Sequence, residues 1–307
     1  MQKKLHRTVV AKAKTVWMDG RYLPLKKAQV PVLTHSLHYG SAVYEGVRFY
    51  KTKSGTAIFR LDDHLTRFLR SARAIGMHLP YSKAELTRAA ITLIKKNGLR
   101  DGYLRPLAFY GGQMGMSPVD CPVRVVLAVW SWPQHFETKA ITAHVSPFRW
   151  RDPKSIVFDT KVAGYYATSI LATLEAKKSG FDEAILLDGN GYVTEGPVEN
   201  LFMVKNGRLA TPRAAGVLPG VTRDTIMRLA KVKGLTVTEK NITVAELKKA
   251  DEVFFCGTAV EVTPVSHIDK KKIGSGQAGA VTMLLEDNYR KVVHGEEQRF
   301  KKWLTDV

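Results

Sequence analysis

Lys161 and Glu195 are the residues of this chain whose surroundings suit chemistry. Lys161 is flanked by Thr160 and Val162 and followed by Ala163, Gly164 and two tyrosines, so no charge stands directly beside it. Glu195 lies in the stretch YVTEG, just before Gly196. Both stand at the edges of expected regular elements, beside small residues, where a side chain can project into a cleft. A lysine in such a place forms a Schiff base when burial or a nearby cation lowers its pKa. An anion cradle needs an arginine together with amides at a helix N-terminus. Arg60 and two turns of small residues, 220–222 and 257–259, supply those parts. A carboxylate near the lysine can hold a pyridinium nitrogen protonated. Spacing alone leaves two readings open: surface charges, as for most lysines here, or the lysine of a phosphate-bearing, covalently linked cofactor.

The elements that must position these residues read as alternating strands and helices. In residues 159–200 a helical run follows the lysine, with Tyr166, Ile170 and Leu174 spaced four apart and Gly180 at its end. EAILLD, a GNG turn and YVTEG then read as paired strands. Earlier, Asp19-Gly20 marks a tight hairpin. The His- and Tyr-rich run after Val30 reads as a loop entering a strand, with His35 and His38 lacking the companions a metal site needs. Residues 57–59 read as a buried strand, and residues 61–75 carry an apolar helical face. Ser82 and Glu85 form a capping box for a helix closing at Asn97-Gly98. Strands follow from Tyr103 and over 123–130. A lobe boundary falls at Trp132, Pro133, Gln134 and His135, where proline interrupts the strand pattern. The expected division is a small lobe over 1–132, an interdomain loop over 133–143 and a larger lobe over 144–307.

The second half gives a hairpin around the KNG turn at 205–207 and a helix after Thr222 with Ile226, Leu229 and Ala230 inward. Thr243 and Glu246 cap a short helix. A strand over 251–256 and an amphipathic helix over 281–293 follow. Gly274, Gly276 and Gly279 spell GxGxxG, but Lys270, Lys271 and Lys272 precede them instead of a buried strand, so the reading is a loop before the last helix.

Among 307 residues, 45% are hydrophobic and 24% charged, which suits a soluble globular protein of two lobes. The two cysteines, Cys121 and Cys256, lack metal spacing and fit a reduced, cytoplasmic setting. No signal-peptide core or membrane span is expected. The formal charge of +19 invites a nucleic-acid reading. The basic residues are dispersed, though, from Lys3, Lys4, Arg7 and Lys12 to Lys301 and Lys302, and no nucleic-acid motif accompanies them. A solvated basic surface is the expectation.

Seven blocks, in order over residues 17–293, carry a family likeness: HSLHYGSAVYEGVRFY, IFRLDDHLTRF, YLRPLAFYGG, TKVAGYY, LDGNGYVTEGPVENLF, LPGVTRD and FFCGTAVEVTPV. With them the chain resembles the fold-type IV pyridoxal-phosphate enzymes, and specifically the branched-chain amino acid aminotransferases. The resemblance implies an α/β (α+β) fold of two domains with pyridoxal 5'-phosphate in the cleft between them. It implies that Lys161 carries the cofactor and shuttles a proton, that Glu195 pairs with the pyridine nitrogen, and that Tyr166 bonds the phenolic oxygen. Arg60, the amides of Val221 and Thr222, and Thr258 would hold the phosphate, with Leu218 beside the ring. Tyr39, Tyr44, Gly46, Tyr103, Arg105, Thr258 and Ala259 would form the substrate pocket, with Arg105 meeting the distal carboxylate of glutamate or 2-oxoglutarate. The loop 112–117 would reach a neighbouring subunit's site in a homodimer. Substrates would be leucine, isoleucine or valine with 2-oxoglutarate.

Two positions depart from the family pattern: Tyr165, where many relatives carry asparagine, and Val260, where alanine is usual. The stretch after Trp132 is also unlike the relatives. Competing activities on the same fold are D-amino acid aminotransferase, amine transaminase and aminodeoxychorismate lyase, against which the Tyr103 and Arg105 pair argues. A basic, non-catalytic binding protein is a rival of another class, and the presence of Arg60, Lys161, Tyr166 and Glu195 together speaks against it.

Overall fold

The computed structural model describes residues 13–112, 114–132, 140–150, 152, 154–157 and 159–307. Its first part contains the hairpin β1 (Thr15–Met18) and β2 (Arg21–Pro24), helix α1 (His35–Tyr39), β3 (Ala42–Tyr44), β4 (Val47–Thr52), β5 (Gly55–Phe59), α2 (Leu61–Ala74), α3 (Lys83–Asn97), β6 (Gly102–Tyr110) and β7 (Val123–Trp130). Its second part contains β8 (Ile141–Arg149), α4 (Ala167–Lys178), β9 (Glu183–Leu187), β10 (Asn200–Lys205), β11 (Arg208–Thr211), α5 (Val221–Val232), β12 (Val237–Glu239), α6 (Val244–Leu247), β13 (Glu252–Gly257), β14 (Glu261–Ile268), β15 (Lys271–Lys272), α7 (Ala280–Val293) and β16 (Leu304–Asp306).

The strands form two eight-stranded sheets. The first is antiparallel throughout, ordered β16-β5-β4-β6-β7-β1-β2 with β3 beside β6. The second is ordered β12-β11-β10-β13-β14-β8-β9 and is mixed, with parallel pairs β11/β12, β14/β8 and β8/β9. β16 is the exception to sequence order: the chain returns from the second sheet and pairs Thr305 with Ile58 at the edge of the first.

Burial follows the expected periods. On α2, Leu61, Leu65, Phe68 and Ala72 turn inward and meet Leu86, Ala90 and Leu93 of α3 over β4, β5 and β6. The Ser82 hydroxyl accepts from the Glu85 amide while the Glu85 carboxylate accepts from the Ser82 amide, so α3 starts on the expected capping box. On α5, Ile226, Leu229 and Ala230 pack with Leu285 and Tyr289 of α7. Tyr50 and Phe59 of the first sheet enter this same cluster beside Phe202 and Phe254 of the second. Each such side chain contributes about 1.5–3 kcal/mol on burial, so the two sheets are joined by apolar packing.

Four expectations need correction. The histidine-rich run is not all loop: residues 35–39 form the short helix α1. YVTEG is not a continuous strand, because its backbone bonds are divided between β9 and Ile242. In α4 the apolar stripe faces outward, with Ile170 59% and Leu174 62% exposed. Small residues, Ser169, Ala172 and Ala176, lie on its buried face instead and let the helix sit close on the sheet. Tyr166 belongs to a 3₁₀ turn before α4, which breaks the four-residue spacing. Finally, β8 begins at Ile141, within the stretch expected as an interdomain loop. Pro133, Gln134 and His135 of the expected boundary lie outside the described residues, as do Lys3, Lys4, Arg7 and Lys12.

Candidate active site

Lys161 lies on the segment that crosses from the second part onto β3. Its amide donates to Ser71 Oγ at 3.0 Å, its carbonyl accepts from the Tyr44 amide at 3.1 Å, and Val162 bridges to Val43. Both backbone directions are therefore fixed, and the buried side chain enters a cavity of about 290 Å³, near the lower bound of small-molecule sites, roughly 300 Å³. There Lys161 Nζ donates to the Tyr166 hydroxyl at 3.0 Å and stands 4.9 Å from the ring centroids of Tyr44 and Tyr166. Burial, then the neighbouring Tyr166, pushes the Tyr44 phenol far up, so it stays neutral.

Glu195 lies across the cavity. Its two oxygens accept from the Leu218 amide at 3.1 Å and from Asn200 Nδ2 at 2.7 Å, and Asn200 Nδ2 also donates to the Leu218 carbonyl at 3.0 Å. The carboxylate is thus aimed and keeps acceptor capacity. Next to it stands the turn into α5, whose N-cap is Gly220. A Cβ on Gly220 would meet Asn200 Oδ1 at 2.0 Å, so only glycine lets this turn close on the Glu195 clamp. α5 is twelve residues long, and its leading amides point out of the helix. Gly257, Thr258 and Ala259 at the end of β13 complete that wall.

The opposite wall is aromatic and cationic. Arg105 Cζ lies 4.8 Å from the Tyr44 ring centroid and 5.4 Å from that of Tyr103. Tyr103 in turn packs on Trp130 and Trp132 at 5.1 and 5.2 Å. Arg105 Nε is buried with no hydrogen-bond partner among the described residues. Gly46 lies under Tyr103, where a Cβ would come within 1.7 Å of the hydroxyl.

Of the residues expected from sequence, Tyr44, Gly46, Tyr103, Arg105, Lys161, Tyr166, Glu195, Leu218, Val221, Thr222, Thr258 and Ala259 line this one cavity. Tyr39 and Arg60 do not. Tyr39 closes α1 on the surface, its ring 4.6 Å from that of His35. Arg60 stands behind the α5 turn: its Nε is bound by Asp63, and its Nη1 by Asp224, Thr225 and the Val221 carbonyl. Two carboxylates and the Trp303 ring, 4.9 Å away, hold it there. Of the two departures from the family pattern, neither Tyr165 nor Val260 is on the cavity wall; Tyr165 packs against the core of the first sheet. His35 bonds Ser41 Oγ and the Gly115 carbonyl, and His38 bonds the Val32 carbonyl.

Sequence reasoning missed a buried ion cluster beside the cavity. Arg67 grips Glu45 with Nε and Nη2, at 2.5 and 2.9 Å, while His64 Nδ1 lies 2.8 Å from the same carboxylate. Arg67 Nη1 reaches over to the Pro219 carbonyl at 2.8 Å and so ties α2 to the turn before α5. Burial alone would raise the Glu45 carboxyl, but Arg67 and His64 outweigh it and hold it well below the usual carboxylate range. Such a group stabilises the fold above the ordinary carboxylate pKa, and that stability is lost as pH falls. Glu45→Gln leaves the Arg67 charge buried and unmatched, and the expected loss is about 3–5 kcal/mol of unfolding free energy. Urea unfolding checks this; a midpoint like that of the wild type would contradict it. Also missed was Glu199, a buried residue of the cavity wall, whose carboxyl is pushed well up by burial and then by Glu183, and so is held neutral. The signal available was that Arg67 and Glu199 fall inside the blocks that carry the family likeness.

Comparison with known proteins agrees with this geometry. The family described as amino-transferase class IV matches residues 42–268. A branched-chain-amino-acid aminotransferase of Pseudomonas aeruginosa is 41% identical over 297 residues, covering 95% of this chain and 97% of that one. The crystal structure of a branched-chain aminotransferase from Thermoproteus uzoniensis with norvaline superposes with a TM-score of 0.92 at 38% identity, covering 95% of this chain and 99% of that one. That of the branched-chain amino acid aminotransferase from Thermobaculum terrenum in its PLP-form gives 0.91 at 33% identity, covering 95% and 98%. The two-sheet arrangement is the fold-type IV architecture that the sequence blocks implied. On sequence, fold and cavity alike, this chain belongs to the class IV aminotransferase family.

Proposed function

We propose that the chain transfers amino groups between branched-chain L-amino acids (leucine, isoleucine, valine) and 2-oxoglutarate, in two half-reactions, with pyridoxal 5'-phosphate in the cavity. One observation carries the reading: a buried lysine, Lys161, and an arginine, Arg105, line the same cavity, whose wall also carries Tyr44, Tyr103, Trp132, Trp150 and Tyr166. The residues present fit the cofactor, since an oriented carboxylate, a buried amine and a helix N-terminus surround one space. Bound there, pyridoxal phosphate supplies the electron sink that lets an amino acid's Cα–H bond break.

The rest is done by this chain's side chains. Lys161 Nζ anchors the cofactor; once released, it holds the proton taken from the substrate carbon. Tyr166 orients that amine from 3.0 Å and bonds the phenolic oxygen. Glu195, held by Leu218 and Asn200, keeps a proton on the ring nitrogen. The amides of Val221 and Thr222, with Thr258, seat the phosphate, while Arg60 braces the turn through the Val221 carbonyl. Leu218 packs beside the ring. Tyr44, Gly46, Tyr103, Thr258 and Ala259 enclose the substrate. Arg105 takes the distal carboxylate of glutamate or 2-oxoglutarate.

The reading divides the chain into a small lobe over 1–132 and a large lobe over 144–307. Apart from β16, no strand among the described residues crosses that division. The chain would act as a homodimer in the cytoplasm. The two free cysteines are buried, and among the described residues no helix is long and apolar enough to cross a membrane. The dimer is supported by one surface, where Val32, Met116 and Val119 are 77, 80 and 84% exposed and His35 ties the loop to α1 through Gly115. Sedimentation should give twice the 34.2 kDa chain mass or a multiple of it, and the variant Met116→Asp/Val119→Asp should run as single chains. A wild-type monomer would defeat the assembly.

The function is tested by following cofactor absorbance while adding L-leucine, L-glutamate, D-alanine or an aromatic amine separately. Conversion by the first two alone is expected; conversion by D-alanine or the amine instead would overturn the substrate assignment. Arg105→Ala should raise KM for 2-oxoglutarate about 10–100-fold, from the loss of a charged hydrogen bond, and leave that for leucine nearly unchanged. Equal losses would remove the carboxylate contact.

A further inference from the structure

Helix α2 carries two stripes. Leu61, Leu65, Phe68 and Ala72 face the core of the first sheet. One residue before each lies a second stripe, Arg60, His64, Arg67 and Ser71, which is polar and also buried. Steps of four, three and four residues place these on one helix face. Buried polar groups need partners, and the partners of this stripe are parts of the cavity. Arg60, at the N-cap, donates Nη1 to the Val221 carbonyl at 3.3 Å. Arg67 Nη1 donates to the Pro219 carbonyl at 2.8 Å, and Ser71 Oγ accepts the Lys161 amide at 3.0 Å. His64 and Arg67 share the Glu45 carboxylate, whose Oε2 also accepts the amide of Gly46, a cavity-wall residue, at 3.2 Å.

The turn 218–220 is where the two ends of the site meet. The Leu218 amide donates to Glu195 and the Leu218 carbonyl accepts from Asn200. The Gly220 carbonyl accepts the Asp224 amide at 3.0 Å, the first bond of α5. Pro219 precedes the N-cap, so its carbonyl has no donor from within the helix; Arg67 supplies one. With these acceptors tied, the leading amides of α5 keep one direction. Arg67 and Ser71 are four residues apart, about 6 Å along the helix axis. A single rigid turn of α2 therefore separates the hold on the α5 turn from the hold on Lys161.

We propose that Arg67 is a positioning residue: it fixes the distance between Lys161 and the amides of Val221 and Thr222, so that one ligand reaches both at once. The inference rests on the reading of this cavity as the pyridoxal-phosphate site. A ligand held at two points gains affinity because its second contact is made within an already bound molecule, and that gain depends on the spacing of the points. Pyridoxal 5'-phosphate has an aldehyde for the lysine and a phosphate for the amides. Pyridoxal has the aldehyde alone, so a loosened spacing penalises only the first.

The test measures dissociation constants for both ligands from the absorption band of the lysine-bound form, with Lys161→Ala as the blank for surface lysines. Arg67→Lys keeps a cation against Glu45 but loses the planar fork that also reaches Pro219. It should bind pyridoxal phosphate about ten-fold more weakly, the effect of one lost charged hydrogen bond, and pyridoxal as the wild type does. The double variant Glu45→Gln/Arg67→Met removes both charges together and leaves none unmatched. It should show the same loss while keeping the wild-type urea midpoint. His64→Gln leaves the Arg67–Pro219 bond in place and should bind both ligands as the wild type does. Equal weakening of the two ligands would mean general loosening of the fold and overturns the proposal, as does wild-type affinity for pyridoxal phosphate in either Arg67 variant. If the wild type binds neither ligand, the cavity reading itself falls and takes the proposal with it; wild-type binding with unchanged variants sinks the proposal alone.

Discussion

Lys161→Ala should reduce turnover at least about 10⁴-fold, the upper range for a single positioned proton carrier, and abolish the absorption band of the lysine-bound cofactor. The reason is geometric. Ser71 and Tyr44 fix the backbone of Lys161 on both sides, and Tyr166 holds its amine at 3.0 Å. Tyr166 and Tyr44 cannot replace it, because a phenol forms no imine and the Tyr44 phenol is held neutral by burial. The substitution removes a buried amine from a cavity wall and leaves the Glu45–Arg67 pair intact, so the fold should survive. Circular dichroism and thermal melting check that point. A variant that keeps the absorption band would assign the anchor to another lysine.

Glu195→Gln should slow turnover about 10²–10³-fold, the range for one preorganised electrostatic contact at a reacting centre, while cofactor binding weakens little. An amide has the shape of the carboxylate, so packing is preserved. What changes is charge, and the clamp itself turns against the variant. The Leu218 amide and Asn200 Nδ2 both donate to Glu195, whereas glutamine has only one accepting oxygen. One donor must lose its partner or Asn200 must turn. On the proposed reading, the protonated pyridine nitrogen would then have no negative partner, and the ring would draw electrons less well. Single-turnover absorbance with L-leucine separates this from binding. A rate near that of the wild type would remove Glu195 from the electronic role.

The parts of the site legible in the sequence were those where chemistry and backbone geometry coincide locally. Lys161 beside Gly164, Glu195 beside Gly196, and the turn at Gly220 all sit on single short segments, so residue type and turn signal could be read together. The capping box at Ser82 was legible for the same reason. The buried supports were not. Glu45 and Arg67 are 22 positions apart, and Tyr50 and Glu261 are 211 apart; no local period connects them, and each in isolation reads as a surface charge or a core ring. The helix after Lys161 failed for the opposite reason. Its apolar spacing was real, but Ala172 and Ala176 won the contact with the sheet because they allow closer approach, which left Ile170 and Leu174 outside. Arg60 was found by type but not by place, since Asp63 and Asp224 capture it behind the turn.

The return of β16 to the first sheet bears on how the protein is made. Leu304, Thr305 and Asp306 cover the edge of β5, the Trp303 carbonyl accepts the Arg60 amide, and the Trp303 ring lies against the Arg60 guanidinium. During synthesis the first sheet emerges long before these residues do. It must therefore wait on the ribosome with an unpaired edge, and an open strand edge recruits other chains. Residues 304–306 close the first sheet only after the second has been made, and the same segment steadies Arg60 behind the α5 turn, so one late contact both seals the sheet edge and braces the cavity wall.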